Sequence, residues 1–261
     1  MNPTRTYSFD QLADVIPAAF STEPAPFVSN KYTFVRTADV IETLYDEGWK
    51  AVQAIQTRSR KSDPRFEKHT VVLRRGDDEG QLPELGRLYG VLRLTNSHNH
   101  TSRLISADEI MRQVCGNGMV LSEGEFGRYA VRHDQIHEDL STILERFKSR
   151  SNKQLQTAQE WNQLELSPEQ LGVFLLQASE LRFGDKSTVD KAKALNRVTR
   201  YDDQPNTLWA AFNRIQENGM RGCAKTGEMK RKVRGLTNIG AMDAWNQGLR
   251  DIAYKTQALL V

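Results

Sequence analysis

Apolar residues recur with two different periods along this 261-residue chain, and the change comes near residue 133. Before it, short apolar runs alternate with turn residues, as in strands and short helices. After it, apolar positions return every three to four residues, as on one face of a helix. Ser8 with Gln11 three residues on predicts a capped helix, ended by Pro17 and followed by an extended arm at Pro24-Ala25-Pro26. Phe27 to Val35 reads as strand, and Thr37 as the N-cap of a helix that closes at Gly48. Strands are expected at Trp49–Thr57, His69–Arg75, Gly86–Thr95 and Thr101–Ser106. The third alternates Leu88, Leu92 and Leu94 with Arg87 and Arg93, the pattern of a half-exposed sheet. Ser106 and Glu109 form a second capping-box signature, for a helix ending near Cys115, and Met119–Leu121 with Arg128–Arg132 suggests a closing hairpin.

From Asp134 the pattern is helical. Ile136, Leu140, Ile143, Leu144 and Phe147 predict a helix running to Trp161. Ser167-Pro168-Glu169-Gln170 opens another, and further helices are expected from near Ser187, from Asn206, and from Thr237 to Leu260. The fold class is therefore α+β: a mainly antiparallel sheet with crossing helices in the N-terminal half, then a helical C-terminal half. The organisation expected is an N-terminal helix and arm (1–26), a mixed sheet core (27–133) and a helical region packed on it (134–261).

Composition narrows the function classes. Hydrophobic residues make up 38% of the chain, enough for a sizeable core, and 36 Lys and Arg against 33 Asp and Glu leave a net charge of only +3. A wholly cationic protein is excluded, so affinity for a polyanion must come from local patches. Two cysteines, Cys115 and Cys223, cannot build a disulfide framework. The first twenty residues lack the apolar core of a secretory signal, and no stretch approaches the roughly eighteen apolar residues of a membrane span. A soluble, cytoplasmic protein is expected.

Several chemical signatures fail on inspection. His133-Asp134-Gln135-Ile136-His137 places two imidazoles four apart, but the zinc-protease motif needs Glu where Asp134 stands. Asp134 sits better as a helix cap, although with His98 and His100, His133 and His137 could still assemble a metal site. Gly222 to Gly227 has the glycine spacing of a phosphate loop, but Glu228 and Met229 replace the Lys and hydroxyl residue that the mechanism needs. No nucleophile-elbow motif occurs, and Cys115 reads better as a buried thiol than as a nucleophile. No cofactor is implied.

Two basic stretches carry the stronger signal. Lys50 to Arg75 holds eight cations against Asp63 and Glu67, with Arg58, Arg60, Lys61, Arg74 and Arg75 suited to phosphate contact. Arg214 to Arg234 holds seven cations against Glu217 and Glu228, with Lys225, Lys230, Arg231, Lys232 and Arg234 on a glycine-containing loop. Such loops suit a polyanion, because each cation displaces condensed counterions. Tyr32, Phe34, Trp49, Phe66 and Tyr89 could stack bases where they face outward; the competing reading is a solvated charged face over core aromatics.

A set of segments occurs in one order: Ser29-Asn30-Lys31-Tyr32-Thr33-Phe34-Val35, Glu47-Gly48-Trp49, Gln56-Thr57-Arg58-Ser59-Arg60, Lys68-His69-Thr70-Val71, Leu94-Thr95-Asn96-Ser97-His98, Val114-Cys115-Gly116-Asn117-Gly118-Met119, Thr207-Leu208-Trp209-Ala210-Ala211-Phe212-Asn213, Arg221-Gly222 and Trp245-Asn246. Together, from about Phe27 to Tyr254, the chain resembles the phage/plasmid-like domain-of-unknown-function family 932. The resemblance implies a bacterial mobile element as origin, and brings no catalytic residue with it. It leaves Asn96, His98, Cys115, Asn117 and Gly118 as either a shared surface or a turn-rich core.

The leading expectation is an accessory protein of a mobile element that binds single-stranded DNA or another nucleic acid in recombination or replication, with homo-oligomerisation through the helical half. The alternatives are a module that binds a host or phage protein, as an anti-defence protein does, and a His-dependent metalloenzyme.

Overall fold

The computed structural model describes residues 6–29, 32–58, 62–113, 118–119, 128–130, 136–225, 227, 229 and 231–260, with the backbone alone for 118, 119, 128–130, 136–139 and 148. The chain divides into two compact units. The described residues of the first fall within Met1–Gln81, Arg87–Gly118 and Gly124–Lys153, and those of the second within Leu82–Gly86, Met119–Glu123 and Gln154–Val261.

In the first unit Ser8 caps α1 (Phe9–Val15) as its sequence predicts: its hydroxyl accepts from the Gln11 amide, and Gln11 Oε1 accepts from the Ser8 amide at 3.0 Å. Helix α2 (Thr37–Asp46) follows, and then four antiparallel strands in sequential order: β1 (Trp49–Gln56), β2 (His69–Arg75), β3 (Leu88–Asn96) and β4 (Ile105–Arg112). Short strands β5 (Gly118–Met119) and β6 (Arg128–Ala130) both pair with β4. One sheet face presents Val71, Leu73, Leu92 and Leu94 to Leu12, Ile16, Val40, Ile41 and Leu44 of α1 and α2, and to Leu140 and Ile143 of α3 (Ile136–Gln163). The other carries Val52, Val72, Tyr89, Val91 and Met111.

Three local expectations for this unit are overturned. Among the described residues, Phe27 to Val35 forms no strand; Tyr32 instead donates its hydroxyl to the Ser97 carbonyl at 3.0 Å, and Phe34 packs on His98. The Ser106–Glu109 signature does not start a helix. These residues lie in β4, which pairs with β3 from Leu88–Arg112 to Thr95–Ile105, and that continuous ladder outweighs one local cap. Strand β3 is not half-exposed either, being buried at every position. Arg93 is accommodated by a two-pronged ion pair: Nε and Nη2 donate to the two Glu109 carboxylate oxygens, each at 2.8 Å.

The second unit is helical and contains α4 (Pro168–Phe183), α5 (Val189–Leu195), α6 (Leu208–Arg221) and α7 (Ile239–Ala258). Ser167 and Gln170 form the predicted capping box of α4, whereas Thr207, not Asn206, caps α6. Trp161, Phe174, Trp209, Phe212 and Trp245 fill the core. Trp161 donates Nε1 to Gln257 at 2.9 Å and packs against Phe212 and Tyr254. The architecture is α+β, as expected. Among the described residues no helix is long and apolar enough to cross a membrane.

Gly219 marks the tightest approach of α6 to α7: a methyl group there would lie 2.3 Å from the Trp245 ring. Alanine gains about 1 kcal/mol of helix propensity over glycine, but a clash in a packed interior costs about 1–3 kcal/mol. Gly219→Ala is therefore expected to lower stability by about 1 kcal/mol in urea unfolding. Unchanged or increased stability would contradict this packing.

Candidate nucleic-acid interface

Three of the segments singled out in sequence meet at one end of the sheet in the first unit. His69 and Asn96 face each other in register across β2 and β3. Asn96 Nδ2 donates to the Thr37 hydroxyl at 3.0 Å, and the Thr37 hydroxyl lies 2.8 Å from His69 Nε2. His69 Nδ1 lies 2.9 Å from the Glu67 carbonyl. A carbonyl can only accept, so Nδ1 carries the proton and Nε2 accepts from Thr37. This contact occupies the hydroxyl expected to cap α2, and Arg36 stands at the N-cap. The His98 ring packs against Phe34 at 4.7 Å and against His69 at 5.2 Å, between ring centroids. His69, Asn96, Ser97 and His98 are all fully buried, so this cluster is core and not a surface.

His100 is exposed on the same loop, with its ring 5.7 Å from Tyr32. His133 lies outside the described residues, as does the side chain of His137. Among the described residues no group of three or more His, Cys, Asp or Glu could hold a metal ion.

The first basic stretch is largely committed within its own unit. Arg75 donates to both Asp77 oxygens at 3.1 Å and to the Glu47 carbonyl, and the bonded Asp77 carboxylate raises its pKa. Arg74 lies over the Tyr89 ring at 4.4 Å. Trp49, Phe66 and Tyr89 are buried, so none of them offers a face to a base. Arg58 is exposed; Arg60 and Lys61 fall outside the described residues.

The second stretch divides differently. Arg214 is buried: Nη1 donates to the carbonyls of Asp203 and Pro205, and Nε to Asn196. Arg221 pairs with Glu217 at 3.0 Å. Lys225, Arg231, Lys232 and Arg234 are exposed, and among the described residues their side chains make no hydrogen bond or ion pair. Lys230 lies outside the described residues.

The loop between α6 and α7 that carries these cations has a closed neck. Val233 donates its amide to the Cys223 carbonyl at 3.0 Å, and Leu236 to the Met220 carbonyl at 2.8 Å. Gly222, at φ +85°, lets the two limbs touch, since a Cβ there would meet the Val233 carbonyl at 2.4 Å. The returning limb lines a cleft of about 1090 Å³ with the end of α4 and the start of α5. Among the described residues its cations are Arg182, Lys191, Arg231, Lys232 and Arg234, against one carboxylate, Asp190. Arg182 and Lys191 escaped the reading of the sequence because no motif links them to a loop some forty residues away. The Gly222–Gly227 spacing builds no nucleotide loop: the position of a Gly227 Cβ is 2.2 Å from an Asp190 carboxylate oxygen, a poor neighbour for a phosphate.

A family model described as a domain of unknown function, DUF932, matches residues 25–244. The chain belongs to the DUF932 family. Two Escherichia coli K12 proteins, the UPF0380 proteins YfjQ and YafZ, are each 32% identical to it over 224 residues, covering 84% of this chain and 78% of theirs. No solved structure gives a significant match. Of the DUF932-like segments quoted above, those around His69, Asn96 and His98 build the buried polar cluster, while Cys115 and Asn117 lie outside the described residues.

The cluster makes a pH prediction for this DUF932 chain. Burial pushes His69 down from 6.5 to about 4. Between those values the unfolded chain takes up a proton that the folded chain refuses. The stability is therefore full above pH 6.5 and is lost as pH falls towards about 4. The limit of the loss is about 3 kcal/mol. His69→Gln is expected to flatten that part of the pH dependence of the urea midpoint; a profile identical to the parent's would refute the assignment.

Proposed function

We propose that this chain is a nucleic-acid-binding accessory protein of a mobile genetic element, acting on single-stranded DNA in recombination or replication. The observation that carries the reading is the set of exposed loop cations that make no hydrogen bond or ion pair among the described residues, three of which line a cleft whose described lining holds five cations and one carboxylate. Elsewhere several arginines are used internally: Arg36 with Asp39, Arg65 with Asp63, Arg75 with Asp77, Arg93 with Glu109, Arg150 with Asp108 and Arg200 with Glu217. A cation paired at the surface of its own protein has little left to offer a phosphate, whereas an unpaired one releases a counterion from the strand it meets. The phosphate contacts are assigned to Lys225, Arg231, Lys232 and Arg234, with Lys230 on the same loop and Arg58, Arg60 and Lys61 as the contribution of the first unit. Arg74 and Arg75 are secondary, given their internal contacts. The polar cluster around His69 serves the fold.

Binding of a labelled oligothymidylate between 50 and 200 mM salt tests this. The four loop contacts alone contribute about −3 to the log–log slope, or roughly fifty-fold weaker binding across that range, and the other assigned cations steepen it. Replacing Arg231, Lys232 and Arg234 together by Gln should make the slope shallower by about 2, while the Arg74→Gln, Arg75→Gln pair should leave it close to the parent's. Absent binding, or binding indifferent to salt, removes the proposal.

A further inference from the structure

The placement of the cationic loop wall turns on one side chain. Arg182, in the last turn of α4, donates Nε to the Gly219 carbonyl at 3.1 Å and Nη2 to the Arg234 carbonyl at 2.8 Å. The first acceptor belongs to the last turn of α6 and the second to the returning limb of the loop, so a single guanidinium joins three segments of the second unit. Both acceptors are neutral, and the charge of Arg182 is not cancelled by either. Its planar fork can span two carbonyls, which a lysine ammonium does not reproduce. Next to the bridged carbonyl stands the Arg234 side chain, with Arg231 and Lys232 just before it on the same limb.

The cleft is also roomier than a small anion requires. Pockets for small molecules span about 300–1,000 Å³; this one reaches about 1090 Å³ and spreads its cations along α4, α5 and the loop. A run of linked phosphates meets several such charges at once, whereas a single phosphate meets one or two. Resting on the nucleic-acid reading above, we propose that Arg182 is a positioning residue: it holds the wall formed by Arg231, Lys232 and Arg234 so that one phosphodiester strand runs along the cleft. The Gly222 neck does the same work from the other end of the loop. Its φ of +85° and its contact with the Val233 carbonyl leave no room for a side chain.

The test uses the full chain, as the parent, Arg182→Lys and, as an independent route to the same defect, Gly222→Ala. Hydrogen exchange reads the wall without any nucleic acid. Both variants should exchange about tenfold faster than the parent at the Val233 and Leu236 amides and at the parent's rate in the middle turns of α4 and α6, which also shows that the second unit is folded. Anisotropy of a labelled oligothymidylate then reads the function. Arg182→Lys, although it keeps the charge, should bind at least about tenfold more weakly, with a salt slope reduced by about 2, as in the triple loop variant. A slope reduced by only about 0.7 in Arg182→Gln, which removes the charge, would make Arg182 one more phosphate contact and overturn the positioning role. So would variants that bind and exchange like the parent. Displacement of the oligonucleotide by millimolar inorganic phosphate would overturn the strand as the occupant. If the parent itself does not bind the oligonucleotide, the functional reading fails and this inference with it; if the parent binds and both variants match it, the inference alone fails.

Discussion

A polar group taken out of water must find a partner inside the protein, and both units are organised by meeting that demand. In the first unit Thr37, His69 and Asn96 satisfy one another where α2 meets the ends of β2 and β3. Losing one member would leave the others buried without their bond, at a cost of about 1–3 kcal/mol each. Arg93 and Glu109 solve the same problem for charges, by a parallel pair of bonds across β3 and β4. In the second unit, Arg214 and Arg182 turn to backbone carbonyls. These bonds tie loops to helices.

What is left over is therefore informative. A net charge of +3 describes a nearly balanced protein, yet the balance is uneven in space. Eight arginines, Arg75, Arg93 and Arg200 among them, face a carboxylate a few ångströms away, while the cations of the loop between α6 and α7 make no ion pair among the described residues. Counting charges along the sequence gives the two basic stretches equal standing. Their partners separate them: Arg74 and Arg75 are held by Tyr89 and Asp77, and Arg214 is buried, but Arg231, Lys232 and Arg234 are open to a ligand. The field of such a loop extends only about 10 Å at ordinary salt, so its placement on a hydrogen-bonded neck matters as much as its charge.

The errors of the sequence reading share a cause. Ser8-x-x-Gln11 and Ser167-x-x-Gln170 cap helices, but Ser106-x-x-Glu109, the same signature, sits inside a strand. A cap stabilises by about 1 kcal/mol, whereas β4 gains a ladder along its whole length with β3 and more with β6. Thr37 has the chemistry of a cap and spends its hydroxyl on His69. The alternation in β3 predicts an exposed Arg93, because the pattern does not reveal that Glu109 waits on the next strand.

The sequence by itself determined the α+β class, the boundaries of most helices and strands, and the membership implied by its ordered motifs, because those signals reside in the residues themselves and their near neighbours. Only the tertiary structure decided which polar groups pair, that the histidines at 69 and 98 are core, and that Arg182 and Lys191 join the loop cations around one cleft. The reason is distance along the chain: Arg93 meets a carboxylate sixteen residues away and Arg182 a carbonyl fifty-two residues away. Whether a cation is spent or free depends on partners of that kind, which no local pattern encodes.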